Sequence, residues 1–95
     1  MAPEGFATLP IQEQAKFHVI MYVRNHLDKT DKRPILGAND VYVVWFAKTL
    51  LNWKALVSTT LPDGMYYEVT YNGTAGETYL DAYKKFENVV IPDAT

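Results

Sequence analysis

The chain has 95 residues, of which 48% are hydrophobic and 21% charged, with a net charge of −2 at pH 7. This composition is typical of one small globular domain, and its weak acidity disfavours nonspecific nucleic-acid binding, which needs clustered cations. The absence of cysteine excludes disulfides and thiolate metal sites.

The N-terminal residues 1–9 mix Pro, Gly, Ala and Thr without a period, which predicts a flexible N-terminal arm. They lack a basic region followed by an apolar run, and no apolar stretch reaches membrane-spanning length. We therefore expect a cytoplasmic protein with no membrane partner. A single folded domain is predicted over residues 10–91, followed by a frayed tail at 92–95.

A helix of about 17 residues is predicted to begin after Pro10, which is tolerated in the first turn of a helix. Its apolar residues recur at steps of three and four: Ile11, Ala15, Val19, Tyr22, Val23 and Leu27. The segment 28–40 contains Pro34, Gly37 and Asn39, and is predicted to form a loop.

Three strands are predicted next, over residues 41–49, 54–60 and 65–71, because the pattern changes to period two with β-branched and aromatic residues. "LPDG" at residues 61–64 predicts a turn in which Gly64 has positive φ. The steps between Tyr79, Ala82, Tyr83, Phe86 and Val90 predict a second helix, with the option of a short edge strand before it. The predicted fold is a single α+β domain in the order helix, three- to four-stranded antiparallel sheet, helix.

The stretch "VYVVWFA" at residues 41–47 is apolar on both faces of its strand, so the sheet needs a second apolar environment. Lys48 and Lys54 are rarely buried unpaired, which assigns their faces to the outside. The predicted outer surface comprises Tyr42, Val44, Phe46, Lys48, Lys54, Leu56, Ser58, Tyr66, Glu68 and Thr70. Such a surface indicates contact with another copy of the chain, a partner or a ligand, unless the second helix or the N-terminal arm covers it.

Catalytic and metal motifs are not evident. His18 and His26 are eight residues apart on one helix, too far for an i, i+4 metal pair, and Gly73 and Gly76 match no phosphate-binding loop. The carboxylates are scattered through predicted turns. We therefore expect neither an enzyme nor a cofactor.

A binding site is predicted on the outer surface, where aromatic rings for stacking on a base accompany cations for phosphate. Its candidates are Tyr42, Phe46, Lys48, Lys54 and Tyr66, with Lys32 and Arg33 from the loop. Lys84 and Lys85 invite comparison with a double-stranded RNA-binding domain, which has the same helix, sheet, helix order. The comparison fails because Asp81 and Glu87 flank the pair and the domain is acidic.

The segments "DVYVVWFAKTL", "ALVSTTLPDGMYYEVTYNG" and "YLDAYKKFEN" resemble a family of small uncharacterised proteins of phages and prophages of Gram-positive bacteria. The resemblance covers roughly residues 12–91 and implies a phage context, with action in the host cytoplasm. It leads us to expect a non-enzymatic, homo-oligomeric accessory protein that counters host defence by sequestering a small nucleotide signal. The alternatives are a protein-binding inhibitor of a host defence or CRISPR component, and a small structural or oligomerisation module.

Overall fold

The computed structural model describes residues 5–26 and 36–94. One helix, α1 (Ile11–His26), is followed by four strands: β1 (Val41–Lys48), β2 (Trp53–Thr59), β3 (Met65–Asn72) and β4 (Glu77–Lys84). The strands form one antiparallel sheet in the order β1-β2-β3-β4. The α+β class, the first helix and the antiparallel sheet are thus confirmed, whereas the second helix is wrong.

Helix α1 begins directly after Pro10, whose carbonyl oxygen accepts hydrogen bonds from the backbone N–H groups of Glu13 and Gln14 at 3.0 Å. Its buried side chains are Ala15, Val19 and Val23, which are spaced four residues apart and therefore lie on one side of the helix. The apolar stripe predicted from the sequence is confirmed as far as Val23, and Leu27 lies outside the described residues. Near the other end, Arg24 donates a hydrogen bond to the carbonyl oxygen of Leu36 at 3.0 Å.

The core lies between this stripe and one face of the sheet, called here the inner face. Alternate residues of β2 and β3 point into it, as a sheet with one covered face requires. The buried sheet residues are Val41, Trp53, Ala55, Val57, Tyr67 and Val69. The inward parity predicted for the third strand is confirmed, because Tyr67 and Val69 are buried and Met65 and Tyr71 pack against the core.

A β-bulge interrupts β1. Val43 pairs with Val57 but Trp45 pairs with Leu56, so Val44 is an extra residue with no partner in β2. Residues after the bulge consequently point to the face opposite to the one that strict alternation predicts. Phe46 pairs with Ala55, and Lys48 with Trp53, so both lie on the inner face.

The segment predicted as a second helix instead forms β4 and an extended C-terminal continuation. Its steps of three and four residues suit a helix, but it also alternates, with Leu80 and Ala82 on the inner face between outward Tyr79, Asp81 and Tyr83. Strand β3 offers a free edge, and the turn at residues 73–76 returns the chain onto it. Pairing with a neighbouring strand therefore overrides the helical period.

Two glycines shape the turns at opposite ends of the sheet. Gly64 has a φ of 68° in the β2–β3 turn, which confirms the positive φ predicted for it. Gly73 lies against the β1–β2 loop, and a methyl group there would overlap the carbonyl oxygen of Leu51. Its N–H donates to Asn52 Oδ1 at 2.8 Å, so the two loops are held together.

Candidate functional site

The face of the sheet turned away from α1, called here the outer face, carries three rows of side chains that cross all four strands. Residues paired in an antiparallel ladder point to the same side, which fixes the membership of each row. The rows are Tyr42, Ser58, Tyr66 and Tyr83; Trp45, Leu56, Glu68 and Asp81; and Ala47, Lys54, Thr70 and Tyr79. Five of these twelve residues are aromatic, so the outer face is an aromatic surface.

This surface is exposed in the described part of the chain. Tyr42 is 46% exposed, Trp45 43% and Tyr83 52%, values that a covered aromatic face does not show. Of the covers considered from the sequence, the second helix is not formed, and the described end of the N-terminal arm lies against α1, where Phe6 packs against Phe17 at 5.0 Å between ring centroids. The outer face is thus available for binding.

A shallow hollow of about 420 Å³, called here the Trp45 hollow, lies at the junction of the first two rows. It is lined by Trp45, Leu56, Tyr66, Glu68, Tyr83, Lys84 and Lys85. Its volume falls in the range of small-molecule sites, which is roughly 300–1,000 Å³. The hollow is therefore lined by three aromatic residues and two lysines, although Lys84 pairs with Met65 and its side chain accordingly lies on the inner face.

The charges around the hollow are partly compensated. Lys54 Nζ lies 3.4 Å from Glu68 Oε1, so the one carboxylate lining the hollow has a cation beside it on the same face. Lys84 and Lys85 are exposed at the end of β4. An anionic group entering beside Lys85 would meet attraction, while its repulsion by Glu68 is reduced by Lys54.

The structure separates the residues predicted from the sequence into three groups. Tyr42, Lys54 and Tyr66 lie on the outer face as predicted, although Lys54 is paired with Glu68. Phe46 and Lys48 do not: the bulge at Val44 places them on the inner face, and their predicted position on the outer face is wrong. Lys32 and Arg33 lie outside the described residues.

Sequence reasoning missed Trp45, Tyr83, Lys84 and Lys85. Strict alternation through the apolar run predicts that Trp45 lies on the inner face. The others were assigned to a helix, although the alternation of Tyr79, Asp81 and Tyr83 with smaller residues was a strand signal. The turn-forming sequence "NGTAG" just before it was a second signal, typical of a hairpin.

Lys48 lies in a different hollow, of about 410 Å³, at the end of the sheet where α1 begins. Trp53 and Tyr71 stack there with ring centroids 5.9 Å apart, and Phe6, Leu9 and Ile11 contribute apolar walls. Among the described residues that line this hollow, Lys48 is the only lysine or arginine. This hollow is the weaker candidate for stacking on a base, because Trp53 is buried and already stacks on Tyr71.

The two histidines lie on α1 and make separate contacts. His18 packs beside Phe6 and Phe17, with ring centroids 5.2 and 5.8 Å away, and its burial lowers its pKa below 6.5. His26 stacks on Tyr22 at 4.0 Å. Both histidines therefore contact aromatic rings.

Two negative findings apply to residues 5–26 and 36–94, and they concern metal binding and membrane crossing. No group of three or more His, Asp or Glu side chains is placed to hold a metal ion. The described helices include none with the length and apolarity needed to cross a membrane.

The fold and the outer face define a small α+β protein in which one helix covers one side of a four-stranded antiparallel sheet and leaves an aromatic surface on the other. The chain belongs to the family of unknown function DUF6275, whose profile matches residues 12–93. No curated protein and no solved structure matches the chain.

Proposed function

We propose that the protein is a non-enzymatic, phage-encoded accessory protein that binds a small nucleotide in the Trp45 hollow and sequesters it in the host cytoplasm, countering host defence. The observation that carries the binding proposal is the convergence of three aromatic rings and two lysines on one exposed hollow. The phage context and the anti-defence role extend the resemblance to small phage and prophage proteins described above.

The chemistry of the hollow suits a nucleotide in both of its parts. A base stacks on indole and phenol rings, and Trp45, Tyr66 and Tyr83 offer such rings within one site. Phosphate groups pair with the ammonium group of Lys85. Glu68 is an acceptor within the same lining, suited to a hydrogen bond from an exocyclic amino group of the base.

The test is a thermal-shift panel of cyclic mononucleotides and dinucleotides against the purified protein. A ligand that binds only the folded state stabilises it, by about 2.7 kcal/mol at a free concentration of 100 Kd. We expect at least one member of the panel to raise the melting temperature. If none does at millimolar concentration, the nucleotide proposal fails.

The bulge supplies matched controls. Trp45 and Phe46 are neighbours with equal exposure, 43% each, but lie on opposite faces. Trp45→Ala and Lys85→Ala should abolish the ligand-induced shift, whereas Phe46→Ala and Lys48→Ala should preserve it. Equal loss in both pairs would show that the hollow is not the binding site.

A second candidate function is a protein-binding inhibitor of a host defence or CRISPR component. It is favoured by the extent of the aromatic surface, because Tyr42, Val44 and Tyr79 are exposed beyond the lining of the hollow. Tyr and Trp are enriched among the residues that dominate protein interfaces. Direct binding of a purified host protein that is lost in Tyr42→Ala and kept in Phe46→Ala, with no response to nucleotides, would favour this function.

A further inference from the structure

The C-terminal residues 85–91, called here the C-terminal arm, leave the domain with their apolar side chains in solvent. The N–H of Lys85 donates to the carbonyl oxygen of Gly64 at 2.7 Å, which ties the base of the arm to the β2–β3 turn. Beyond it, Phe86 is 88% exposed, Val90 81% and Ile91 84%, and Val89 is also exposed. Within the described chain, residues 86–94 form no helix or strand.

Four of the seven residues of the arm are β-branched or aromatic, as in a buried strand, and the other three are Lys85, Glu87 and Asn88. β-branched and aromatic residues are enriched in strands and depleted in solvated tails, and Pro92 marks the end of the run. Exposing four large apolar side chains on one short segment is unfavourable, because the hydrophobic effect rewards their removal from water. The arm thus requires a surface to cover it.

The arm is poorly placed to bind the outer face of its own chain. The arm continues from the end of β4, an edge strand of the same sheet, and the Lys85 hydrogen bond keeps its base in line with that strand. Folding back would need a reversal immediately after Lys85, where Phe86 and Glu87 are not turn formers; Asn88, the turn-forming residue of the arm, lies three positions further on.

We propose that the C-terminal arm binds the outer face of a second copy of this chain, and that the second copy returns its own arm, giving a two-fold symmetric dimer. Each copy has one exposed apolar arm and one exposed aromatic face. A reciprocal exchange of arms therefore covers the arm and the face of both copies. Because the arm would cross the row that contains Trp45, the arm and a nucleotide would compete for the Trp45 hollow, and the dimer is therefore tested without nucleotide.

The dimensions of the arm and the face agree. Seven extended residues span about 23 Å, whereas the three gaps between four strands add up to about 14 Å. The arm can therefore cross all four strands of the second sheet, over the rows that contain Tyr42 and Trp45. The net charge of −2 per chain gives two copies little electrostatic repulsion.

The first experiment is multi-angle light scattering of the full chain at micromolar concentration. We expect a mass of twice 10.8 kDa. The double variant Val89→Asp, Ile91→Asp should be monomeric, because it places two charges in the buried arm. The control Thr74→Asp, Ala75→Asp adds the same charges at the exposed β3–β4 turn and should remain dimeric. A monomeric wild type, or an arm variant that stays dimeric, overturns the proposal.

Cysteine pairing then tests which surface receives the arm. Since the chain has no cysteine, a Val90→Cys chain can be co-expressed with a Trp45→Cys chain and isolated through a tag on one of them. An intermolecular disulfide should form between these two positions. Pairing Val90→Cys with Phe46→Cys, the equally exposed neighbour on the inner face, should give much less product. Equal yields, or no product in either case, overturn binding across the outer face.

Discussion

Val43 and Trp45 are two positions apart on β1, yet their side chains point to opposite faces of the sheet. Val43 pairs with Val57 on the inner face, and Trp45 pairs with Leu56 on the outer face, with Val44 bulged between them. The bulge thereby adds an indole to the outer face at the point where Tyr66 and Tyr83 also converge. It gives this edge strand two apolar faces that serve different purposes: one packs toward the core and one forms the hollow.

The β2–β3 turn depends on the positive φ of Gly64. Gly64→Val should lower the free energy of unfolding by roughly 1 kcal/mol or more, because a Cβ is strained at a φ of 68°. Urea denaturation measures the change. Gly37→Ala is the matched control: its φ is −110°, and the added methyl would make only an ordinary contact with Asp40. Equal stability of Gly64→Val and wild type would contradict the turn geometry.

Substitution of Gly73 should lower the free energy of unfolding more than substitution of Gly64, because a methyl group added at Gly73 meets backbone atoms and not open space. In Gly73→Ala the Cβ would overlap the Leu51 carbonyl oxygen, so the β1–β2 loop must move and the hydrogen bond from Gly73 to Asn52 would be lost. We expect a destabilisation of about 2 kcal/mol or more, as for other strained backbone sites. Asn52→Ala, which removes only the acceptor, should cost about 1 kcal/mol by the same urea measurement. The interpretation is wrong if Gly73→Ala costs less than Asn52→Ala.

His18 should make the fold less stable in acid. Burial beside Phe6 and Phe17 lowers the pKa of His18 in the folded state below 6.5, its value in the unfolded chain. As the pH falls below 6.5, the unfolded chain binds a proton that the folded chain resists, so the free energy of unfolding falls. Above that pH the side chain is neutral in both states and contributes no slope.

Denaturation of the wild type and His18→Gln at a series of pH values measures this effect. The wild type should lose more stability than the variant as the pH is lowered through this range, because glutamine does not titrate. Parallel pH profiles for the two proteins would exclude His18 as the cause.

The Lys54–Glu68 ion pair should contribute little to stability. The side chains are 45% and 23% exposed, so solvent screens their attraction. A double-mutant cycle with Lys54→Met and Glu68→Gln should give a coupling of at most about 1 kcal/mol, decreasing with added salt. A larger coupling that salt does not change would mean that the pair is effectively buried.

Most of the fold could be predicted from local sequence patterns. The spacing of Ala15, Val19 and Val23 predicts the buried side of α1, and the alternation in "MYYEVTY" predicts the faces of β3. These predictions succeed because each side chain's environment follows from the period of its own element. The turn at Gly64 succeeds for the same reason, since its geometry is local.

The candidate site could be predicted only in part, because its errors arise from pairing between strands. Nothing in "VYVVWFAK" marks Val44 as the bulged residue, since every residue near it is apolar; the bulge is a property of the β1–β2 ladder. Likewise, the choice between helix and strand for residues 77–84 depends on the free edge of β3. Tyr42 and Tyr66 were placed correctly because they precede the bulge or lie in strands without one.

The strand order β1-β2-β3-β4 also governs how quickly the domain can fold. Every neighbouring pair of strands is consecutive in the chain and joined by a short connection, at residues 49–52, 60–64 and 73–76. Little chain entropy is lost in closing each connection, and the sheet can grow by successive hairpins without waiting for distant segments to meet. The kinetics should resemble those of mixed α/β domains with low contact order, not those of Greek-key sandwiches. A small protein required early after its synthesis would benefit from such rapid assembly.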